Sequence, residues 1–241
     1  MKVIICKNYD DMSRRAASLL LAQLVHKPNS ILGLATGSTP LGLYKELIEA
    51  YSRGEADFSS VISFNLDEYL GIPNTDPNSY FSFMQENLFR HINLLKENTH
   101  LPNGMAADAQ EECTNYDLLI EKAGGVDLQI LGIGHDGHIG FNEPGETFPE
   151  GTHVETLTEE TRAANARFFG SLDHVPTQAV TMGIGTIMKA HRIILMASGK
   201  DKASIIAQMV RGPITPRVPA SILRFHQNTV VYLDELAAGE I

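Results

Sequence analysis

The sequence has few cysteines, few basic residues and no long apolar run, and each shortage excludes a class of protein. Cys6 and Cys113 are too few for a disulfide framework, so we expect reduced, inert thiols. Lys and Arg total 19 against 29 Asp and Glu, and the net charge of −10 disfavours nucleic acid or an anionic membrane surface as the main partner. No apolar run is long enough for a membrane span, and the N-terminal one is too short for a signal peptide. We therefore expect a cytoplasmic protein.

The apolar residues that are present alternate between strand-like and helix-like spacing. A chain of 241 residues with 43% hydrophobic content can bury a large core, and we expect one domain over residues 1–241. Predicted strands lie at 2–6, 30–35, 61–66, 126–131, 179–182, 191–197 and 229–233. Predicted helices lie between them, at 41–51, 79–92, 110–123 and 203–210. The alternation predicts an α/β fold.

The sequence also contains side chains that are typical of helix N-termini and glycines that are typical of turns. Asp10, Asp11 or Ser13 is predicted to cap the first helix, and Thr158 a later one. Gly183 and Gly185 predict a turn before the strand at 191–197.

One stretch, residues 131–144 (LGIGHDGHIGFNEP), combines glycines with titratable side chains directly after a predicted buried strand. Glycine permits positive φ and close approach of the backbone to a ligand. If Asp136 and His138 lie in an extended segment, their spacing of two places both side chains on one face. An imidazole beside carboxylates such as Asp136 and Glu143 is held in one tautomer, which suits proton transfer near neutral pH.

Three other interpretations of this stretch stay open at this point. The residues could form a structural loop in which Asp and His cap neighbouring amides. They could form a dinucleotide-binding GxGxxG motif, although no helix follows, as that motif requires. They could form a metal site, although the spacing matches no closed zinc pattern; the candidate ligands are His135, Asp136, His138 and Glu143. The density of titratable groups favours a functional loop.

A second segment has the features of an anion site. The predicted strand at 30–35 is followed by Thr36, Gly37, Ser38 and Thr39, and then by a helix that begins near Pro40. Free amides, hydroxyls and the positive end of the helix dipole meet at such a junction. The lysine of a nucleotide-binding P-loop is missing, so a phosphomonoester is a better candidate than a nucleoside triphosphate. Ser and Thr before a proline are also ordinary helix caps.

The predicted strand at 61–66 leads into Asp67-Glu68-Tyr69. Ligands of open α/β sheets bind beyond the carboxyl ends of the strands, which makes Asp67 the second acidic candidate for catalysis. Glu68 should point the other way. The alternative is that Asp67 caps the following turn.

Five segments together, ATGSTPLGLY, SFNLDEY, LGIGHDGHIGFNEP, ANARFF and SGKDKA, occur in an order that resembles the glucosamine-6-phosphate deaminase family over almost the whole chain. The resemblance implies a Rossmann-like three-layer sandwich with a mainly parallel central sheet. It also implies conversion of glucosamine 6-phosphate and water to fructose 6-phosphate and ammonia, without a metal or an organic cofactor.

The resemblance implies a role for each matching residue. His138 would open the pyranose ring with Asp136 and Glu143 orienting it, and Asp67 would transfer the proton from C2 to C1. The phosphate would be bound by Thr36, Gly37, Ser38, Thr39, Arg167 and Lys202.

One departure from the family concerns regulation. Longer members are hexamers activated by N-acetylglucosamine 6-phosphate, and they carry basic residues where Glu146, His153 and Glu155 approximately stand here. An acidic segment would repel a phosphate. We therefore expect hyperbolic kinetics and a monomer or small homo-oligomer. Two other functions stay open: a 6-phosphogluconolactonase, and a sugar-phosphate sensor, which we expect to need a DNA-binding module.

Overall fold

Seven parallel strands form the central sheet of the computed structural model, which describes residues 1–241 apart from the side chain of Phe168. In chain order they are β1 (Lys2–Cys6), β2 (Ile31–Leu34), β3 (Ile62–Asn65), β5 (Thr99–His100), β6 (Leu128–Leu131), β9 (Arg192–Ala197) and β10 (Thr229–Asp234), with β4, β7 and β8 in a second sheet. The order across the central sheet is β1-β10-β9-β6-β2-β3-β5. Every neighbouring pair is parallel.

This strand order places a crevice in the middle of the sheet. From β2 the chain continues to β3 and β5 in one direction, whereas from β6 it continues to β9 and β10 in the other. The loops that follow β2 and β6 therefore diverge at the carboxyl ends of these two strands. Open α/β sheets bind ligands at such a position. The two segments singled out in the sequence, 36–39 and 132–142, follow these two strands.

Seven helices connect the strands over the described part of the chain. They are α1 (Tyr9–His26), α2 (Leu41–Ser52), α3 (Tyr80–Asn87), α4 (Ala109–Ala123), α5 (Glu159–Phe169), α6 (Ile184–Met188) and α7 (Ala203–Arg211). Short 3-10 turns occupy 89–91, 96–98, 172–174, 200–202 and 219–225. The predicted α/β fold with a mainly parallel sheet is confirmed. Among the residues described, no helix combines the length and the apolar character that crossing a bilayer requires.

The central strands are buried because both of their faces carry apolar residues. Every residue of β2 and β6 is buried, including the polar Gln129. The Gln129 side chain occupies the space beside Gly33 on β2, where an added Cβ would come within 1.9 Å of its Oε1 atom. Glycine at position 33 therefore allows β2 and β6 to pair with a buried amide between them.

A second, antiparallel sheet was not predicted from the sequence. It contains β4 (Asp67–Tyr69), β8 (Gln178–Thr181) and β7 (His153–Thr156) in the order β4-β8-β7. Asp67 lies opposite Thr181 in this sheet. Asp67 is the first residue of β4, and only Leu66 separates it from the end of β3. The strand predicted at 179–182 corresponds to β8, whereas β4 and β7 were not predicted, because their three and four mostly polar residues show neither an apolar run nor an alternation.

Several predicted boundaries are wrong. The cap of α1 is Asn8, whose side chain accepts the Asp11 N–H at 2.9 Å, while the Asp11 carboxylate accepts the Lys7 N–H at 3.2 Å. These two hydrogen bonds start the helix before the predicted caps Asp10, Asp11 and Ser13. The helix expected over 79–92 ends at Asn87, and Gly183 begins the short helix α6 where a turn was expected. The Thr158 cap is confirmed, since its side chain accepts the Thr161 N–H at 3.2 Å.

Candidate active site

An open cavity of about 210 Å³ lies at the crevice between β2 and β6. Its walls are the loops after these two strands, the start of β4, the helix α5 and the turn before α7. Nine of the ten residues that were predicted to form a site line this cavity, namely Thr36, Gly37, Ser38, Thr39, Asp67, Asp136, His138, Arg167 and Lys202. The tenth, Glu143, contacts His138.

The loop after β6 brings Asp136 and His138 together by a tight turn, and the extended segment considered above is not found. Gly134 N–H donates to the His138 carbonyl at 2.9 Å, and Gly137 within the turn has φ +93°. The Asp136 carboxylate also accepts the His138 backbone N–H at 3.1 Å. The imidazole packs directly on Gly134, where a Cβ would come within 2.3 Å of its Cε1 atom. The glycines therefore set the turn and leave room for the ring.

The His138 imidazole lies between two carboxylates. Its Nδ1 atom is 2.8 Å from Asp136 Oδ1 and 3.7 Å from Glu143 Oε2, and their side chains are 20%, 18% and 6% exposed respectively. Although burial works against its charge, the adjacent imidazole holds the pKa of Asp136 well below its usual value. Burial, together with the nearby Asp136 carboxylate, raises the pKa of Glu143. Because Nδ1 faces carboxylates, Nε2 is the ring atom left for exchange of a proton with a ligand.

Asp67 is the most perturbed carboxylate of the cavity. Only 6% of the residue is exposed, and burial, with a smaller contribution from the Glu68 charge, raises its pKa to about 8. The residue opposite it in the small sheet, Thr181, accepts the Phe141 N–H through its hydroxyl at 2.9 Å. Thr181 therefore joins the strand that carries Asp67 to the loop that carries His138.

Glu68 points away from the cavity, as predicted, and has a structural role. Its carboxylate accepts the backbone N–H groups of Tyr69, Tyr80 and Phe81, each at 2.9 Å. It thereby fixes the N-terminus of α3 against β4. Tyr80, which starts α3, lines the cavity next to Asp67. No pattern in the sequence indicated Tyr80.

The segment after β2 has the form of an anion cradle. Gly37 has φ +87°, and α2 begins after Pro40 without a side-chain cap, so its first N–H groups have no intrahelical partner. Arg167 and Lys202 approach the same cavity from α5 and from the turn before α7. The Lys202 ammonium donates to the Ile133 carbonyl at 2.8 Å, and burial lowers its pKa. These groups can hold a phosphate within a protein of net negative charge.

The helix α5 forms one wall of the cavity, and Arg167 is the only one of its lining residues that was predicted. Its lining residues are Glu160, Thr161, Ala164, Asn165 and Arg167. Their spacing of one, three and four places them on one side of a helix, and the Thr158 cap fixes where that helix begins. Arg162 points elsewhere and donates to the carbonyls of Leu172 and Val175 at 3.0 and 3.2 Å.

The four-residue metal site considered above is not assembled. Asp136, His138 and Glu143 each offer one atom within 4.8 Å of the others, which is a spacing that a divalent ion could bridge. His135 instead pairs with Asp201, with 2.7 Å between Nε2 and Oδ2.

Comparison with known proteins places the chain in a family. Residues 8–232 match the family model of glucosamine-6-phosphate isomerases/6-phosphogluconolactonase. A glucosamine-6-phosphate deaminase from Thermoanaerobacter sp. (strain X514) is 57% identical over 241 residues, which cover 100% of this chain and 95% of that protein. One from Clostridioides difficile (strain 630) is 56% identical over 241 residues, which cover 100% and 97%.

Solved structures agree with this assignment. A structure described as a monomeric glucosamine-6-phosphate deaminase superposes with a TM-score of 0.98 at 44% identity, covering 100% of both chains. A 6-phosphogluconolactonase from Thermotoga maritima gives a TM-score of 0.76 at 21% identity, covering 97% of this chain and 99% of that one, which is a likeness of fold alone. The resemblance inferred from the motifs is confirmed: this chain belongs to the family of glucosamine-6-phosphate isomerases and 6-phosphogluconolactonases.

Proposed function

We propose that this chain is a glucosamine-6-phosphate deaminase, an aldose-ketose isomerase that converts glucosamine 6-phosphate and water to fructose 6-phosphate and ammonia. Relatives more than half identical to it over the whole of this chain carry that name. The observation that supports the proposal best is that Asp67 and His138 line one cavity together with the segment 36–39. The reaction needs two proton-transfer groups and a phosphate holder around one sugar.

The phosphate end of the substrate is assigned to the crevice between β2 and α2. Backbone N–H groups and hydroxyls of 36–39 would face the phosphate oxygens, and the α2 dipole favours the negative charge. Arg167 and Lys202 would add charge-assisted hydrogen bonds from the opposite walls. This fixes one end of a flexible open-chain sugar, so that the reacting carbons lie at a constant position.

Ring opening is assigned to His138. The step removes a proton from the C1 hydroxyl and delivers one to the ring oxygen, and a histidine can do both near neutral pH. Asp136, 2.8 Å from Nδ1, orients the ring and stabilises its protonated form. Glu143 contacts the same nitrogen at 3.7 Å and restricts the ring further.

The carbon-bound proton is assigned to Asp67. Its carboxylate would take the proton from C2 to give an enolamine and return the proton to C1, which leaves an imine at C2. Water then hydrolyses the imine to the ketone and ammonia. Burial raises the pKa of Asp67 to about 8, and a carboxylate that holds its proton more tightly is a stronger base than an exposed one.

An ammonia-release assay on the purified protein with glucosamine 6-phosphate tests the proposal. We expect turnover without added metal, and the same rate after treatment with a chelator. The matched assay for the other named activity of the family is hydrolysis of 6-phosphogluconolactone. Lactone hydrolysis without ammonia release would contradict the proposal, and binding of glucosamine 6-phosphate without turnover would support a sensor.

We extend the proposal to the state of the protein: a single domain over residues 1–241 that acts in the cytoplasm as a monomer or small homo-oligomer. Both cysteines are buried free thiols, which fits a reducing compartment. A relative at 44% identity is described as monomeric. Light scattering after size-exclusion chromatography would measure the mass, and a hexamer would contradict the proposal.

A further inference from the structure

Tyr9 contacts the back of the segment 36–39. It is the first residue of α1, and its hydroxyl lies 3.1 Å from the Ser38 carbonyl and 3.0 Å from the Thr39 carbonyl. A hydroxyl has one proton, which the two carbonyls share. The same oxygen accepts the Gly42 N–H at 2.7 Å. Tyr9 therefore connects three backbone groups of one loop and the helix that follows it.

The contact to Gly42 supplies the hydrogen-bond acceptor that the N-terminus of α2 lacks. The residue before the helix is Pro40, and no side chain of the helix's own N-terminus accepts a hydrogen bond from its first turn. An uncapped N-terminus leaves N–H groups that need partners. The Tyr9 hydroxyl, from a different helix, accepts one of them.

The ring of Tyr9 is held close to α2 by the absence of a side chain at Gly42. A Cβ at this position would come within 2.8 Å of Tyr9 Cε1 and 2.3 Å of Ser13 Oγ. Glycine therefore allows α1 to approach the first turn of α2 closely enough for the hydroxyl to reach the loop.

The position of Tyr9 relative to the cavity decides what this contact does. Ser38 and Thr39 line both the cavity and a second cleft, and Tyr9 lines the second cleft but not the cavity. The carbonyl oxygens of both residues accept from the Tyr9 hydroxyl, which lies outside the cavity lining. A carbonyl oxygen turned toward a phosphate would repel it, whereas an N–H turned toward it attracts it.

We propose that Tyr9 is a positioning residue for phosphate binding: its hydroxyl keeps the Ser38 and Thr39 carbonyls on the far side of the loop. The inference rests on the proposed function, because it takes the segment 36–39 to hold the substrate phosphate. Tyr9 contacts the loop and does not line the cavity, so its effect should fall on binding and not on the chemical step.

The test is Tyr9→Phe, which removes the hydroxyl and keeps the ring. We expect KM for glucosamine 6-phosphate to rise about three- to tenfold, the range for one lost hydrogen-bonding group, with kcat within about twofold of the wild type. In the reverse direction KM for fructose 6-phosphate should rise by the same factor, while KM for ammonia stays unchanged. The matched control is Tyr51→Phe, at the other end of α2, which should leave all constants unchanged.

Two results would overturn the inference. One is a Tyr9→Phe enzyme whose KM for both sugar phosphates equals that of the wild type. The other is a fall in kcat, or a rise in KM for ammonia, in step with the change for the sugar phosphates, which would indicate a general structural defect. Failure of the proposed function is a separate outcome, since the wild-type protein would then release no ammonia.

Discussion

The buried carboxylate of Asp67 should make the protein less stable as the pH rises. Its pKa is about 8 in the folded chain, against an ordinary value of about 4 in the unfolded chain. Between these two values the folded state keeps the proton and the unfolded state loses it, so stability falls with rising pH across this window and levels off above about pH 8. Asp67→Asn cannot ionise and should escape this loss.

The size of the effect follows from the shift of the pKa. One pKa unit corresponds to about 1.4 kcal/mol, so the asparagine variant should unfold with a free energy about 4 kcal/mol higher than the wild type at pH 7. No discount for solvent is needed, because the residue is 6% exposed. Near pH 4 the two proteins should be equally stable. The same substitution removes the proposed base, so the variant gains stability and loses activity.

Urea unfolding at several pH values between about 4 and 9 measures this difference. The difference in unfolding free energy between Asp67→Asn and the wild type should increase steadily up to about pH 8 and then stay constant. Asp173→Asn, which changes an exposed carboxylate, is the control and should show no such trend. A gap for Asp67→Asn that is absent, or that does not change with pH, would refute the reasoning that burial of this carboxylate opposes its ionisation.

Four further predictions concern activity. Asp67→Asn should lower kcat about 10²- to 10⁴-fold with little change in KM, and should remove the rise of kcat/KM toward about pH 8 that we expect in the wild type. His138→Gln should slow ammonia release most where ring opening limits the rate, and an unchanged rate would remove this residue from the mechanism. Lys202→Met should raise KM for glucosamine 6-phosphate by about tenfold and leave kcat largely unchanged, which steady-state kinetics would show; a fall in kcat alone would contradict a phosphate contact. Initial rates should follow a hyperbola with or without N-acetylglucosamine 6-phosphate, since Glu146 and Glu155 stand approximately where activated members of the family carry basic residues; a sigmoidal curve that this compound straightens would contradict the prediction.

The sequence predicted the central sheet and the location of the cavity well, for a physical reason. Strands buried on both faces consist of continuous apolar runs, such as 30–35 and 126–131, and such runs are easily recognised. The crevice of an open α/β sheet lies where the chain leaves these strands, so polar and glycine-rich segments directly after them are expected to line it. The segments 36–39 and 132–142 follow two such strands, and residues of both line the cavity.

The remainder of the site depends on contacts between distant segments, which local patterns do not report. The strand of Asp67 pairs with the strand that contains Thr181, more than a hundred positions away, and the three residues of β4 have no period of their own. The contact between Asp136 and His138 was expected, but a turn at Gly137 makes it, not a shared strand face. Tyr80 gave no local signal, because Glu68 positions it through the backbone of α3.

The two proposed proton-transfer groups belong to different parts of the fold, because Asp67 begins a strand of the small sheet and His138 lies in the loop after β6 of the central sheet. Met182 N–H donates to the Leu66 carbonyl at 2.7 Å, and the Asn142 side chain donates to the Met182 carbonyl at 2.9 Å. A slight rotation of the small sheet would change the distance between the Asp67 carboxylate and the His138 imidazole. The immediate surroundings of each group would stay the same. Substitutions at Met182, which does not line the cavity, should thus change the spacing of these two groups and with it the size of the substrate that the enzyme accepts.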